Sequence, residues 1–324
     1  MNRNNVKQWL TLRGISKRYP VFSLIPYKKS YTEALKEIDL SLNEGQVTCI
    51  LGPNGAGKTT MLKIIADLVL PDGGVIEHKM NKHPRVGFVT PNERSFYWRL
   101  SGRENLRFFA ALSRIKGKQL NERVEAVIKE TGLSDFAATP YRLYSSGMKQ
   151  RLNIARALLP EPELILLDEP TAHLDPLAKA EFWRFIREHL LRARKSTVLL
   201  ATHDLEEATV LSDQMAILNK GRIVAAGTIT ELQERMSEAR RIVLTYESAH
   251  DTEPLKAAAE AAGAERREED GYISVFAQDE AAVREMVLTL AEAGNIPYSL
   301  VRENASLLSI IAHYSEDVRQ EIQP

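Results

Sequence analysis

The sequence predicts an α/β fold with a largely parallel sheet. Short apolar runs of the kind that form buried strands recur along the chain, at 47–51, 86–89, 164–167 and 198–201. Stretches with the apolar spacing of helices lie between these runs, and strands that alternate with helices favour a parallel sheet. With 324 residues, the chain is long enough for about two domains.

The charge balance and the lengths of the apolar runs argue against some classes of function. The 43 basic and 43 acidic residues give a formal net charge of zero, so nucleic acid is not expected as a partner. No apolar run approaches the roughly 18 residues that span a bilayer, and the first residues lack a signal-peptide core. We therefore expect a cytoplasmic chain whose membrane role, if any, needs another subunit. The single cysteine, Cys49, lies in an apolar run and is expected in the core.

The order of patterns predicts two domains. Residues 91–160 are mostly helical in pattern and lie between two of the strands, which indicates a helical subdomain inserted into the α/β core. A short connecting helix is expected at 228–236. We assign residues 1–235 to the first domain and 241–324 to a small C-terminal accessory domain.

The C-terminal pattern predicts a βαββαβ order with a closing helix. Asp270 and Gly271 form a strong hairpin signal between two strands. Apolar residues with the period-2 spacing of strands predict the first and last strands, and those with the period-3.6 spacing of helices predict two helices and the closing helix. The residues are, in that order, Ile242, Leu244 and Tyr246; Leu255, Ala258, Ala259 and Ala262; Val283, Met286, Val287 and Leu290; Ile296, Tyr298 and Leu300; and Leu307, Ile310, Ile311 and Tyr314.

A phosphate-binding loop follows the first of the apolar strands. The segment GPNGAGKTT at 52–60 matches G-x-x-x-x-G-K-[ST], in which glycines let backbone N–H groups point at phosphate oxygens. Lys58 would reach the β- and γ-phosphates of ATP, and the hydroxyl of Thr59 would bind Mg²⁺. The predicted nucleotide-binding residues of this segment are Gly52, Asn54, Gly55, Gly57, Lys58, Thr59 and Thr60.

Two acidic residues end another apolar strand, in LILLDEP at 164–170. Asp168 stands at the carboxyl end of this strand, where open α/β sheets bind ligands, and would hold Mg²⁺. Glu169 is the candidate base that polarises the attacking water. Acidic residues in such a place can also simply face solvent.

The run YSSGMKQRLNIARALL at 144–159 connects these motifs to a family. By itself it predicts a capped helix opened by Ser145, Ser146 and Gly147. With the phosphate loop before it and LILLDEP after it, it resembles the signature motif of ABC ATPases, and the resemblance covers residues 10–235. The resemblance implies a P-loop NTPase fold of the ABC type, in which this motif contacts the γ-phosphate bound to the other protomer of a dimer.

The same resemblance assigns three further residues. His203, in LLATHD, corresponds to the switch histidine that touches the γ-phosphate. Asp175, after Leu174 in TAHLDP, belongs to the loop that crosses the dimer interface. Tyr19 corresponds to the aromatic residue that stacks on adenine. The alternatives for Tyr19 are a core tyrosine or another aromatic from the segment 20–31.

The sequence departs from the family pattern in three places. No glutamine follows the strand ending at Val89. Counting back from GRENL puts Asn92 in its place as the expected Mg²⁺ and water ligand, and the adjacent Glu93 is the alternative. The signature reads YSSGM where LSGGQ is commonest. His173 stands in the interface loop, where small residues are common. We expect these changes to leave nucleotide binding intact.

An aromatic cluster, Phe96, Tyr97 and Trp98, lies in the segment where family members receive a helix of the membrane subunit. Aromatic residues are enriched at interface hot spots. Core packing is the alternative interpretation of the cluster.

The resemblance implies an ATP-hydrolysing motor subunit that works as a homodimer, with ATP and Mg²⁺, on a separate transmembrane permease at the inner face of the cell membrane. An exporter of drug, lipid or polysaccharide is the expected type. The alternatives are an import motor, or a soluble ABC ATPase acting on nucleic acid or ribosomes. The latter usually carry two cassettes, a long coiled coil or zinc cysteines, and this chain has one cassette and one cysteine.

Overall fold

The computed structural model separates into two compact units, residues 1–228 and 229–324. The helix that follows Thr228 falls in the second unit, whereas the sequence pattern placed it in the first domain. The structure describes residues 8–21, 30–78, 84–91, 95–172, 174–194, 196–235, 241–247, 252–269, 272–277, 280–292, 294 and 296–303.

A six-stranded sheet forms the centre of the first unit. Its strands are β3 (Val47–Leu51), β5 (Val86–Val89), β6 (Leu164–Asp168), β7 (Thr197–Thr202), β8 (Gln214–Asn219) and β9 (Arg222–Gly227). They lie in the order β5-β6-β7-β3-β8-β9, and all but the antiparallel β9 run parallel. The four strands predicted from apolar runs are confirmed, and β3, β6 and β7 are buried at every residue. Cys49 is buried in β3, and this burial raises the pKa of its thiol.

An antiparallel sheet in the same unit was not expected from the sequence. It contains β1 (Gln8–Val21), β2 (Ser30–Asn43) and β4 (Gly73–His78), in the order β2-β1-β4. In β2, buried Ile38, Leu40 and Leu42 alternate with polar residues, whereas β1 is irregular, with a register shift between Leu12 and Ile15. The apolar residues of this sheet share one core with the central sheet and helix α1 (Lys58–Ile65). Helix α1 ends at Ile65, so Leu68 lies beyond it and is 65% exposed.

Helices α2 (Gly102–Leu112), α3 (Gly117–Glu130) and α4 (Ser146–Leu158) lie between β5 and β6, as the predicted helical insertion requires. After β6 come α5 (Pro176–Phe185), a π-helical segment (Ile186–Ala193) and, beyond β7, α6 (Leu205–Leu211). Within the described ranges, no helix is both long and apolar enough to cross a bilayer.

The second unit has the predicted βαββαβ order. After α7 (Ile229–Arg235) come β10 (Arg241–Glu247), α8 (Thr252–Ala261), β11 (Glu265–Glu269), β12 (Tyr272–Ala277), α9 (Glu280–Glu292) and β13 (Ser299–Glu303). The strands form an antiparallel sheet in the order β11-β12-β10-β13. The apolar positions predicted for β10, α8 and α9 pack in one core, which confirms both helix stripes and the strand alternation.

The last strand differs from its prediction. It begins at Ser299, and Ile296 and Tyr298 precede it with 72% and 70% of their surface exposed. Pro297 stands between them and has no N–H to donate to a strand ladder, which delays the start of the strand. The predicted hairpin at Asp270–Gly271 and the predicted closing helix beyond residue 303 lie outside the described residues.

Candidate active site

The phosphate loop connects β3 to α1 and is packed between two strands. Gly55 and Gly57 have φ of 81° and 111°, in the left-handed region that favours glycine. A Cβ on Gly57 would lie 2.4 Å from the carbonyl oxygen of Ala34, and one on Gly52 would lie 2.2 Å from that of Leu218. Both distances are too short for real atoms, so the backbone can follow this path only with glycine at these positions.

Lys58 lies over the loop, with its side chain only 5% exposed. Its Nζ donates to the carbonyl oxygens of Gly52 and Pro53, at 2.7 and 3.0 Å, and lies 3.6 Å from Oε1 of Glu169. Burial lowers the pKa of Lys58, and the neighbouring carboxylate of Glu169 opposes that shift. The remaining predicted loop residues keep solvent-accessible surface; these are Asn54, Gly55 and Thr60.

Asp168 and Thr59 meet at the end of β6. The Thr59 hydroxyl donates to Oδ1 of Asp168 at 3.1 Å, and Asp168 is 3% exposed. Burial raises the pKa of Asp168, and the hydrogen bond from Thr59 opposes that rise. Two such oxygens fit Mg²⁺, which is usually held by one or two protein oxygens together with substrate phosphates and waters. The described part of the chain has no group of three or more His, Cys, Asp or Glu able to hold a metal alone.

Glu169 joins the loop lysine to the predicted switch histidine. Its Oε1 lies 3.6 Å from Nζ of Lys58 and 3.2 Å from Nδ1 of His203, which directly follows β7. Its backbone has φ of 46°, and its N–H donates to the carbonyl oxygen of Ala201 at 2.8 Å. A non-glycine residue in this conformation costs about 1–3 kcal/mol and is typical of functional sites. The carboxylate therefore faces two partners rather than solvent alone.

The predicted signature residues open α4 and contact their own helix. Ser145 is its N-cap, with Oγ accepting from the N–H of Met148 at 3.2 Å. Ser145 is exposed, and Ser146 and Gly147 are half-buried. Among the residues that the structure describes, no hydrogen bond links these three to the phosphate loop. The structure therefore brings five predicted site residues together and leaves the signature apart within one chain.

The predicted interface loop leads into α5. Asp175 is exposed and caps this helix, with Oδ1 accepting from the N–H of Ala178 at 2.9 Å. A Cβ on Gly147 would lie 3.9 Å from the Cβ of Ala178, so the signature glycine and the start of α5 are close in the chain. His173, also predicted for this loop, lies outside the described residues.

Tyr19 lies in β1, opposite Thr32 of β2, and is 37% exposed. Two residues beyond Thr32, the carbonyl group of Ala34 lies against Gly57, as described above. Tyr19 is thus on the strand pair that flanks the phosphate loop, in keeping with a place beside a bound base. Asn92 and Glu93, the candidates for the missing glutamine, lie outside the described residues.

The predicted aromatic cluster divides between core and surface. Phe96 is 4% exposed, with its ring 5.4 Å from that of Phe109 and 5.0 Å from that of Tyr141. Tyr97 and Trp98 are 50% and 68% exposed. Core packing is therefore correct for the first residue, and the other two are free to meet a partner.

Sequence reasoning missed two contacts that connect α5 to α6. Lys179 Nζ donates to Oδ2 of Asp204 at 2.7 Å, and Trp183 Nε1 donates to Oε1 of Glu207 at 3.3 Å. Glu207 is fully buried on the same helix as buried Ala208. An acidic residue among the apolar positions of α6 was the available signal for these contacts.

Comparisons with known proteins identify the family of this chain. A family model described as ABC transporter matches residues 35–172. The daunorubicin resistance ATP-binding protein DrrA3 of Streptomyces coeruleorubidus is 35% identical over 247 residues, which is 74% of this chain and 74% of that protein. The fluoroquinolones export ATP-binding protein of Mycobacterium tuberculosis is 36% identical over 247 residues, or 73% of this chain and 76% of that protein.

Solved structures agree with these relatives. The dimeric ATP-binding cassette MJ0796 in a post-hydrolysis state, bound to ADP and Pi, matches with a TM-score of 0.58 and 26% identity. The match covers 68% of this chain and 98% of that chain. The similarity to these relatives and the fold agree with the cluster of phosphate-loop lysine, strand-end carboxylates and histidine. The chain therefore belongs to the ABC transporter ATP-binding proteins, the ATP-hydrolysing subunits of such transporters.

Proposed function

We propose that two copies of this chain sandwich two Mg·ATP and drive export of a drug, lipid or polysaccharide through a separate membrane subunit. Each site is composed of residues from both copies. One copy supplies Tyr19, Lys58, Thr59, Asn92, Asp168, Glu169 and His203, and the other supplies Ser145, Ser146, Gly147 and Asp175.

The observation that carries this proposal is the position of Glu169, between Lys58 at 3.6 Å and His203 at 3.2 Å. Lys58 balances charge on the β- and γ-phosphates, and Glu169 orients and polarises the water that attacks the γ-phosphate in line. His203, beside Glu169, would contact the γ-phosphate.

Mg²⁺ held by Thr59, Asp168 and Asn92 neutralises charge on the phosphate oxygens when it is bound. The buried carboxylate of Asp168 supports this assignment, because a cation beside it offsets the cost of burying its charge. The Thr59 hydroxyl, 3.1 Å from that carboxylate, is within reach of the same ion.

The separation of the signature from the phosphate loop supports a shared site. Ser145, Ser146 and Gly147 begin a helix, and a helix N-terminus favours anions. Because their described hydrogen bonds lie within their own helix, this N-terminus is available to a phosphate on a second copy. The dimeric ABC cassette that this chain resembles has the same overall fold.

Exposed aromatic residues support a membrane partner. Tyr97 and Trp98 are 50% and 68% exposed, and the Tyr97 ring lies 4.9 Å from the ring of Phe108, which is 38% exposed. Tyr97 and Trp98 belong to the segment that receives a membrane subunit in the family. We therefore place the chain on the inner face of the cell membrane. The names of the two relatives, which concern drug resistance and export, favour an exporter.

Substitution Glu169→Gln tests the proposed chemistry. Glutamine keeps the size of the side chain but cannot act as a base, so turnover should fall at least about a hundredfold while ATP still binds. The measurement is steady-state release of phosphate, together with ATP binding by equilibrium dialysis. Glu163→Gln, which makes the same change at an exposed carboxylate just before β6, is the matched control and should hydrolyse ATP normally.

The Glu169→Gln variant should also accumulate as an ATP-bound dimer, because hydrolysis no longer separates the two copies. Size-exclusion chromatography with light scattering, with and without Mg·ATP, measures this. Turnover near that of the unmodified chain would remove Glu169 from the role of base.

A further inference from the structure

Helices α5 and α6 leave the site from two different loops. The first, α5, begins at Pro176, directly after the interface loop that contains Asp175. The second, α6, begins at Leu205, two residues after His203. Any contact that fixes one helix against the other therefore also couples the position of the interface loop to the position of His203.

An ion pair makes the first such contact. Lys179 Nζ lies 2.7 Å from Oδ2 of Asp204, and their side chains are 28% and 22% exposed. The hydrogen bond to Asp204 raises the pKa of Lys179, so the pair remains charged at neutral pH. Asp204 also caps α6 through Oδ1, which accepts from the N–H groups of Glu206 and Glu207 at 3.0 and 3.1 Å. The residue adjacent to His203 is thus held from α5 and from α6 together.

A buried hydrogen bond makes the second contact, one turn further along both helices. Trp183 Nε1 donates to Oε1 of Glu207 at 3.3 Å, with the two residues 7% and 0% exposed. Burial raises the pKa of Glu207, and the neighbouring hydroxyls of Thr202 and Thr171 oppose that rise. Burying a carboxyl group is unfavourable unless the group is hydrogen-bonded. The place of Glu207 at the helix contact therefore needs a reason beyond packing.

The surroundings of Glu207 supply that reason. Thr202 is the residue before His203, and Thr171 is the first residue of the interface loop. Both are buried, at 1% and 2% exposed. The Thr202 hydroxyl also accepts from the N–H of Asp204 at 3.0 Å. The residue after His203 is therefore bonded to α5, and the residue before it is bonded to Asp204, while the His203 side chain remains half-exposed beside Glu169.

We propose that Lys179, Trp183, Asp204 and Glu207 form a clasp that positions His203 for ATP hydrolysis and makes it move together with the interface loop. The four are positioning residues, because they act through His203 and the loop without contacting phosphate. The inference rests on the role of His203 given under the proposed function. It predicts that loosening the clasp slows the chemical step and leaves ATP binding unchanged.

Two conservative substitutions loosen the clasp in the full chain. Lys179→Met keeps most of the aliphatic stem and the Asp204 cap, and removes the ion pair. Trp183→Phe keeps an aromatic ring and removes the indole donor. We expect each to lower kcat by about tenfold with KM within about twofold, since small misplacements of a reacting group have effects of this size or larger.

Controls separate positioning from general destabilisation. Lys179→Arg keeps the charge and should retain most of the turnover. Lys118→Met removes an exposed ion pair with Glu122 on α3 and should leave kcat and KM unchanged. Should Trp183→Phe fail to fold, Lys179→Met carries the test, because Lys179 lies at the surface.

A double-mutant cycle with His203→Ala tests whether the clasp acts through the histidine. In that background, Lys179→Met should change the residual rate, followed with radiolabelled ATP, by less than about twofold. A further tenfold loss there, or unchanged kcat in the Lys179→Met/Trp183→Phe double variant, would overturn the inference. Full turnover by His203→Ala alone would instead refute the assignment of His203 in the proposed function.

Discussion

The phosphate-loop half of the proposed site and the signature half differ in what holds them. In the first, residues from α1, β6 and the end of β7 come within 4 Å of one another, and every link is between elements far apart in sequence. In the second, Ser145 is bound to the N–H of Met148, three residues along the same helix. The first half is built by the central sheet, and the second by one helix terminus.

This difference is the basis for our proposal that one chain supplies only half of each site. Parallel strands bring their carboxyl ends to one edge, so side chains that follow them meet there without help from another copy. A helix terminus has unsatisfied N–H groups and a favourable field for an anion, but needs a phosphate to be delivered to it. The predictions below change one half at a time.

The largest effect is expected from Gly52→Ala in the phosphate-loop half. The added Cβ would lie 2.2 Å from the carbonyl oxygen of Leu218, and a backbone atom cannot move aside cheaply. We expect ATP hydrolysis to fall more than about a hundredfold and the free energy of unfolding to decrease by about 1–3 kcal/mol.

Chemical denaturation and phosphate release measure the effect of Gly52→Ala. Gly73→Ala is the matched control, because its Cβ would meet only the Cβ of Ser16, at an ordinary 3.8 Å. Equal behaviour of the two alanine variants would show that the loop is not held against β8 as described.

A smaller effect is expected from Gly102→Ala, which acts on the signature half through packing. The new Cβ would lie 2.1 Å from the hydroxyl oxygen of Tyr144, the residue before Ser145. That hydroxyl donates to the carbonyl oxygen of Phe136 at 2.8 Å, so moving the ring breaks a hydrogen bond. We expect a loss of about 1–3 kcal/mol in the free energy of unfolding.

Tyr144→Phe gives the compensating change for Gly102→Ala. Removing the hydroxyl relieves the closest clash, so the Gly102→Ala/Tyr144→Phe variant should be more stable than the sum of the two single losses predicts. Strict additivity in thermal denaturation would contradict the contact. The pair also explains how tyrosine is accommodated in this YSSGM signature.

The sequence predicted the phosphate-loop half better than the elements around it. Lys58, Asp168 and His203 each lie at or beyond the carboxyl end of a buried strand. The carboxyl ends of parallel strands meet at one edge of the sheet, which brings these residues together. The clasp was missed because the contact of Trp183 with Glu207 depends on how α5 and α6 pack. The spacing of apolar residues along a helix does not reveal which other helix it contacts. The antiparallel sheet was missed because the register shifts between Leu12 and Lys17 interrupt the period-2 pattern of β1, although Ile38, Leu40 and Leu42 alternate in β2.

The smallest effect is expected from truncation after Met236, which removes the strands and helices that follow α7 in the second unit. We propose that residues 241–324 strengthen dimerisation and tune the ATPase rate, because a small domain gains stability by covering an edge strand or helix with a partner. The truncated chain should keep its site, with turnover changed by about two- to threefold and weaker ATP-dependent dimerisation.

Light scattering of the truncated and full chains, and of the isolated 241–324 fragment, measures this. An unchanged rate and unchanged dimerisation, with a monomeric fragment, would leave the second unit as an appendage with no part in the ATPase.

The sharing of each ATP site between two copies is tested most directly by mixing two inactive variants. Lys58→Ala spoils the phosphate-loop half of its own chain, and Ser145→Arg spoils the signature half that its chain lends to a partner. In a heterodimer of the two, both defects fall on one of the two sites, and the other site is intact. We predict no turnover by either variant alone and recovery of about half the normal rate per heterodimer. Turnover that stays absent in isolated heterodimers would contradict a site built from two chains.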